Sequence, residues 1–137
     1  MIATIPCEVR VETENDIVVA RQAVREAANE LGFGLTDITR IVTASSELAR
    51  NIFKYAGRGI MLVHSVESDG RTGIQLTFID HGPGIPDLEQ AMSEGYSTSG
   101  GFGMGLPGAK RLMDEMELTS ALGAGTTAVL RKWRVSS

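Results

Sequence analysis

Residues 100–108 read Gly100-Gly101-Phe102-Gly103-Met104-Gly105-Leu106-Pro107-Gly108, so five of nine consecutive residues are glycine. A backbone without side chains can approach a ligand closely, and proline is suited to the first turn of a helix. Lys110, Leu112 and Met113 fit the continuation of that helix. A helix start presents free N–H groups and a positive dipole end, which favour a phosphate. The segment therefore predicts either a phosphate-binding loop or a plain flexible loop.

Two common phosphate-binding motifs do not account for this segment. The P-loop requires a lysine and then a serine or threonine directly after its last glycine, whereas Ala109 follows Gly108. The dinucleotide fingerprint is met in spacing by Gly103, Gly105 and Gly108, but that fingerprint must follow a strand. Residues 97–99 form a polar stretch without strand character, so we reject this match as well.

Composition indicates a single globular domain over residues 1–137. The chain is 42% hydrophobic and 22% charged, with a formal net charge of −4. A net negative charge argues against a general nucleic-acid or anionic-membrane surface, so we expect neither nucleic acid nor membrane as a partner. The single cysteine, Cys7, permits no internal disulfide. Since the sequence also shows no membrane-length apolar run and no signal-peptide pattern, we expect a cytoplasmic protein.

Hydrophobic periodicity predicts the element order β-α-α-β-β-loop-α-β-β. The predicted strands cover residues 7–13, 59–67, 72–80, 118–121 and 126–133, with a hairpin turn at 68–71. The main predicted helices cover residues 16–31, 36–55 and about 106–115, with Thr36 as the N-cap of the second helix and Gly57 closing it. A short helix is predicted near residues 87–92.

This order predicts an α+β fold, a two-layer α/β sandwich. A mixed, mainly antiparallel sheet is expected to carry three main helices on one face. In the second helix, apolar and small residues recur at helical spacing and predict a buried stripe, formed by Ile38, Ile41, Val42, Ser45, Leu48, Ala49 and Ile52.

Glu47 and Asn51 lie four residues apart in the second predicted helix, on a face that flanks the buried stripe. A carboxylate and a carboxamide at this spacing suit a general base beside an oxygen ligand for Mg²⁺. The same residue types also suit a solvated helix edge, and the residues alone leave both interpretations open.

Asp80 stands at the end of a predicted strand and is followed by Gly82 and Gly84. One interpretation is a capping residue in a Pro/Gly turn. The other is a carboxylate that accepts a hydrogen bond from an exocyclic amine, with the glycines admitting a flat ring. Thr126, directly after residues 123–125, either belongs to a hairpin turn or offers its hydroxyl to the same cleft.

Together these groups resemble the GHKL ATP-binding family, whose members include gyrase B, Hsp90, histidine kinases and anti-sigma-factor serine kinases. Four family motifs follow in order over residues 47–51, 80–84, 101–105 and 123–126. The resemblance implies an α/β sandwich in which ATP lies between the helices and a mobile lid.

The resemblance also implies a role for each matching position. Glu47 would be the catalytic base, Asn51 would hold Mg²⁺, and Asp80 would accept a hydrogen bond from the adenine amino group. The other nucleotide-binding positions would be Gly82 and Gly84 beside the base, Gly101, Gly103 and Gly105 at the phosphates, Leu106 in the helix that follows, and Thr126 on the adenine side. Residues 97–99 would fall in the lid.

A narrower resemblance, to the RsbT-type serine/threonine kinases of the bacterial stressosome, spans nearly the whole chain. It is carried by residues 15–22, 30–34, 46–51, 55–57 and 100–115. It implies phosphorylation of a serine or threonine on STAS-domain proteins of the RsbS or RsbR type. The released kinase would then bind and activate a downstream regulator, an RsbU-type phosphatase or another output protein.

Three other functions compete with this one. An anti-sigma-factor kinase of the RsbW or SpoIIAB type would sequester a sigma factor, but residues 15–22 and 99–101 favour the RsbT type. A nucleotide-gated interaction protein would have negligible catalysis, which Glu47 and Asn51 speak against. A simple ATPase would need a second domain to couple hydrolysis to motion, and none is visible in the sequence.

Overall fold

The computed structural model describes residues 6–82, 105–121 and 125–135, which form three α-helices and five strands. The helices are α1 (Glu14–Glu30), α2 (Leu35–Asn51) and α3 (Gly105–Leu112), and a π-helical turn, Ile52–Ala56, extends α2. The strands are β1 (Cys7–Val11), β2 (Gly59–Ser68), β3 (Arg71–Asp80), β4 (Glu115–Ala121) and β5 (Gly125–Trp133). The predicted element order is confirmed, and the short helix predicted near residues 87–92 lies outside the described ranges.

The five strands form one sheet in the order β1-β2-β3-β5-β4, and each pairing between them is antiparallel. The β2–β3 hairpin turns at Asp69 and Gly70, whose φ angles are +52° and +76°. Two positive φ angles in a row characterise the type I′ turn, whose twist matches that of the strands. The predicted α+β sandwich and the predicted hairpin at residues 68–71 are therefore confirmed.

The core lies between the sheet and the helices. Buried side chains alternate along the central strands, so one face of each strand contacts the helical layer: Met61, Val63, Ile74, Leu76, Phe78, Ala128 and Leu130. All seven residues of the predicted α2 stripe are buried, and α2 packs against both α1 and α3. None of the helices in the described ranges is long and apolar enough to span a membrane.

The two long helices begin earlier than predicted. A capping box starts α1: the Thr13 hydroxyl accepts from the Asp16 N–H at 3.3 Å, and the Asp16 carboxylate accepts from the Thr13 N–H at 2.9 Å. The predicted N-cap of α2, Thr36, is wrong, because Gly34 occupies that position and its carbonyl accepts from the Ile38 N–H at 2.9 Å. Glycine is an acceptable N-cap, so the helix gains its first residues at little cost.

The second helix ends much as predicted, but with a change of helix type. After Asn51 the chain widens into the π-helical turn, which Gly57 closes with φ +84° and a 2.9 Å hydrogen bond from its N–H to the Ile52 carbonyl. Periodicity did not predict this turn. Such turns are rare and often occur at functional sites.

The third helix is shorter than predicted. Its predicted end near residue 115 is wrong, because α3 ends at Leu112 and Glu115 begins β4. The Asp114 N–H donates to the Arg131 carbonyl at 2.9 Å, and Glu115 lies opposite Arg131 in the β4–β5 pairing. Pairing with β5 therefore overrides the local helical pattern.

Candidate functional site

One row of paired residues crosses all five strands at one end of the sheet. The strand registers place Val11 opposite Gly59, Gly59 opposite Asp80, Asp80 opposite Thr126, and Thr126 opposite Ser120. We refer to this end of the molecule as the Asp80 edge. Since α1 begins just after β1 ends and the π-helical turn closes just before β2 begins, both long helices also have one end here.

The Asp80 carboxylate is held in a fixed orientation by two backbone amides. Its Oδ1 accepts hydrogen bonds from the Gly82 N–H at 2.9 Å and from the Thr126 N–H at 3.2 Å. Within the described residues its Oδ2 has no hydrogen-bond partner, and the side chain is partly exposed. A carboxylate oxygen fixed in this way is a directed acceptor for a donor such as an exocyclic amine.

The backbone around Asp80 is packed too closely for larger residues. A Cβ added at Gly125, where φ is +84°, would overlap the Asp80 carbonyl oxygen. A Cβ added at Gly82 would lie 2.6 Å from the Cβ of Ala56. Because real Cβ atoms do not approach this closely, both glycines are required for β3, β5 and the π-helical turn to meet at the Asp80 edge.

Thr126 takes part in this edge through both its backbone and its hydroxyl. Its Oγ1 lies 2.9 Å from Oγ of Ser120, and the Ser120 hydroxyl donates to the Gly125 carbonyl at 3.2 Å. With the Ser120 proton used in this way, Thr126 donates to Ser120 and its oxygen retains acceptor capacity. Sequence reasoning missed Ser120. Its position six residues before Thr126, across the glycine-containing hairpin, was the signal that could have identified it as the strand partner of Thr126.

The last turn of α2 carries Glu47 and Asn51. The Glu47 side chain is only 14% exposed, and its Oε2 accepts from the Arg50 guanidinium at 2.9 Å. Its Oε1 has no hydrogen-bond partner in the described part of the chain, nor does the Asn51 carboxamide. The interpretation as a solvated helix edge does not fit a carboxylate buried to this extent, and the Arg50 contact was not anticipated from the sequence.

The π-helical turn connects the end of α2 to Asp80. A Cβ at Gly59, the neighbour of Asp80 in the sheet, would lie 2.8 Å from Cγ2 of Ile52. The same turn reaches Gly82 through Ala56, as described above. The structure therefore brings Glu47 and Asn51 to the end of the molecule that holds Asp80, Gly82 and Thr126.

The helix after the glycine segment completes the described part of the site. Gly105 and Leu106 are the first residues of α3, and Leu106 packs partly buried against the core. α3 ends at the end of the sheet far from Asp80, where a two-residue turn joins it to β4. The N-terminus of α3 therefore points toward the Asp80 edge. The predicted site residues Gly84, Gly101 and Gly103, and residues 97–99, lie outside the described ranges.

The described residues fit a nucleotide with its metal in terms of their chemistry. Asp80 presents a fixed acceptor, and the partly exposed Asn51 presents an oxygen of the kind that Mg²⁺ prefers. The start of α3 presents N–H groups of the kind that bind phosphates. No group of three or more His, Cys, Asp and Glu side chains able to hold a metal ion occurs in the described ranges.

Comparison with known proteins gives consistent matches over most of the chain. Residues 36–136 match the family described as histidine kinase-, DNA gyrase B- and HSP90-like ATPases. The serine/threonine-protein kinase RsbT of Bacillus subtilis is 54% identical over 125 residues, covering 91% of this chain and 94% of that protein. The anti-sigma F factor of Clostridium beijerinckii is 32% identical over 126 residues, covering 88% of this chain and 87% of that protein.

A solved structure supports the fold. The RsbU and RsbW domains of a Mycobacterium tuberculosis protein superpose with a TM-score of 0.64 at 23% sequence identity. The match covers 94% of this chain and 33% of that one, so this chain spans about a third of that larger protein.

Proposed function

The chain belongs to the family of histidine kinase-, DNA gyrase B- and HSP90-like ATPases and is a protein serine/threonine kinase, and we propose that it phosphorylates STAS-domain scaffold proteins from Mg²⁺-bound ATP. The observation that carries the proposal is the Asp80 carboxylate, fixed by two backbone amides beside the end of α2. That arrangement supports recognition of the adenine amino group by Asp80 and phosphoryl transfer near the end of α2.

The adenine end of the proposed site is formed by β3 and β5. The Oδ2 of Asp80 accepts from the exocyclic amine, while the amides of Gly82 and Thr126 hold Oδ1. Gly82 lets the ring lie close to the backbone, and the Thr126 oxygen faces the same end. Gly84 would be a further contact of the base.

The glycine segment and the start of α3 are the proposed binding region for the phosphates. N–H groups of Gly101, Gly103 and Gly105, with Leu106 at the start of the helix, would stabilise the charge of the phosphates. Asn51 would hold Mg²⁺ through its amide oxygen. When bound, the ion neutralises charge on the transferring phosphoryl group.

Glu47 is the proposed base. Its Oε2 is held by Arg50, which leaves Oε1 to accept the proton of the substrate hydroxyl. The hydroxyl oxygen would attack the γ-phosphorus as the bond from that phosphorus to the β,γ-bridging oxygen breaks, and ADP would leave. General-base assistance of this kind contributes about 10²- to 10⁴-fold to a rate. In-line transfer requires mainly positioning and charge stabilisation, which the remaining groups supply.

The biological output of the proposed reaction is partner switching. Phosphorylation of RsbS- or RsbR-type STAS proteins releases the kinase, which then binds and activates a downstream regulator, an RsbU-type phosphatase or another output protein. A second candidate is an anti-sigma-factor kinase that sequesters a sigma factor. The 32% identity to an anti-sigma F factor supports this second candidate.

The proposed reaction is tested by incubating the chain with γ-labelled ATP, Mg²⁺ and purified STAS-domain proteins, and then mapping the labelled residue. We expect label on one serine or threonine of a STAS protein, lost when that residue is replaced by alanine and when Mg²⁺ is chelated. A parallel capture assay with sigma factors separates the second candidate. Stable sigma-factor binding without transfer to any STAS protein would contradict the proposal.

A further inference from the structure

A buried ammonium group lies at the end of the molecule opposite the proposed nucleotide site. Lys132 is on the helix-facing side of β5 and is 9% exposed. Its Nζ donates to the Leu112 carbonyl at 3.0 Å and lies 3.5 Å from the Asp114 carboxylate and 3.9 Å from the Asp37 carboxylate. Lys132 lies six positions after Thr126 on β5, about 20 Å along the strand, so Lys132 does not contact the residues at the Asp80 edge.

The contacts of Lys132 converge on the C-terminus of α3. Leu112 is the last residue of α3, and its carbonyl has no donor within the helix. A cation at this position satisfies the carbonyl and interacts favourably with the negative end of the helix dipole. Asp37 belongs to the first turn of α2, so one ammonium group links α3, α2 and β5.

The turn that follows α3 is clamped to β5 independently. The Trp133 N–H donates to the Asp114 carboxylate at 2.8 Å, and the Asp114 N–H donates to the Arg131 carbonyl at 2.9 Å. Together with the Lys132 contacts, these bonds fix the C-terminal end of α3 to the sheet. We call this group of contacts the Lys132 clamp.

A clamp at one end of α3 determines where its other end points. α3 has eight residues, about 12 Å, and behaves as a short rigid rod. Its first residues, Gly105 and Leu106, are those proposed to bind phosphate, so a small rotation at Leu112 moves their N–H groups away from the phosphates. A buried ion pair is also often no more stabilising than apolar residues of similar size, so stability alone does not account for the charge.

We propose that Lys132 is a positioning residue for phosphate binding, which it supports by orienting α3 from the helix's C-terminal end. This inference rests on the proposed nucleotide site. It assigns a role in nucleotide affinity to a side chain on the opposite side of the molecule.

The test compares ADP and adenosine binding by titration calorimetry, because only ADP carries phosphates. For Lys132→Met we expect the affinity for ADP to fall about tenfold, while the affinity for adenosine stays within about twofold. Lys132→Arg restores the cation and should recover most of the loss. Asp114→Ala removes another side chain of the same clamp, at an exposed position, and should give the same selective loss of ADP affinity. This second variant tests the proposal if Lys132→Met does not fold.

Val63→Ala is the matched control, because it removes core packing in β2 away from α3. It should lower the thermal stability while leaving the ratio of the two affinities unchanged. Equal losses for ADP and adenosine in both clamp variants, or no loss for ADP, would overturn the positioning role alone. Failure of the wild-type chain to bind ADP would overturn the proposed nucleotide site as well.

Discussion

The two oxygens of the Asp80 carboxylate have different surroundings. Oδ1 accepts from the Gly82 and Thr126 amides, while Oδ2 has no partner in the described ranges. This division lets one side chain both join β3 to β5 and present an acceptor to a ligand. Glu47 is divided in the same way, because Arg50 holds one of its oxygens and leaves the other available.

Asp80→Asn tests this division at the level of one atom. The amide oxygen can keep both backbone hydrogen bonds, but the other atom becomes an NH₂ donor facing the donor of adenine. We expect ATP affinity to fall by about 10²-fold or more in calorimetry, because a charge-assisted bond is replaced by two opposed donors. Asp69→Asn, in the hairpin turn, is the control and should bind ATP normally. Unchanged ATP affinity in Asp80→Asn would refute the adenine assignment.

At the level of elements, the site depends on where helices and strands end. The π-helical turn carries the end of α2 toward Gly59 and Gly82, and the β4–β5 hairpin aligns Ser120 with Thr126. At the other end of that hairpin, Glu115 accepts from the Trp133 indole N–H at 2.8 Å and from Arg131 at 3.1 Å. These bonds hold β4 to β5 at the point where α3 ends.

The Glu115 contacts predict a pH-dependent contribution to stability. The Trp133 hydrogen bond, and then the Arg131 hydrogen bond, lower the pKa of Glu115 in the folded protein. A lowered folded-state pKa stabilises the fold above the unfolded-state pKa, and that stabilisation is lost as the pH falls through the folded-state pKa. We therefore expect Glu115→Gln to reduce the free energy of unfolding at neutral pH, with the difference from wild type shrinking in acid.

Urea denaturation at a series of pH values measures this difference. Glu67→Gln, at an exposed carboxylate near the end of β2, is the control and should show a smaller difference at neutral pH. A Glu115→Gln difference that stays constant from neutral to acid pH would show that the Glu115 bonds are not the source of the stabilisation.

For the whole molecule, periodicity and turn chemistry were sufficient for the fold. The α2 stripe, the hairpin at residues 68–71 and the element order follow from local pattern, and the structure confirms them. One error comes from a distant contact and the other from a local one. α3 ends early because Asp114 bonds to β5, whereas the N-cap of α2 is Gly34 rather than Thr36 because the Gly34 carbonyl accepts from the Ile38 N–H.

The candidate site was predictable to the extent that its residues form short motifs. Asp80 and Thr126 belong to separate motifs, and the strand register makes them neighbours. Ser120 lies outside the four motifs, and Arg50 lies inside the first one without an assigned role, since their contacts come from strand pairing and helical spacing. Lys132 is separated from α3 by about twenty residues, so only the folded chain reveals the clamp.

We propose that phosphate transfer by this kinase depends on Glu47 near the end of α2. The most direct measurement is the single-turnover rate of phosphate transfer from saturating ATP to a STAS protein. Glu26→Ala, at an exposed carboxylate on α1, serves as the control. We predict that Glu47→Ala binds ATP normally but transfers phosphate about 10²- to 10⁴-fold more slowly, while Glu26→Ala matches wild type. Transfer by Glu47→Ala at the wild-type rate would contradict the role of Glu47 as the base.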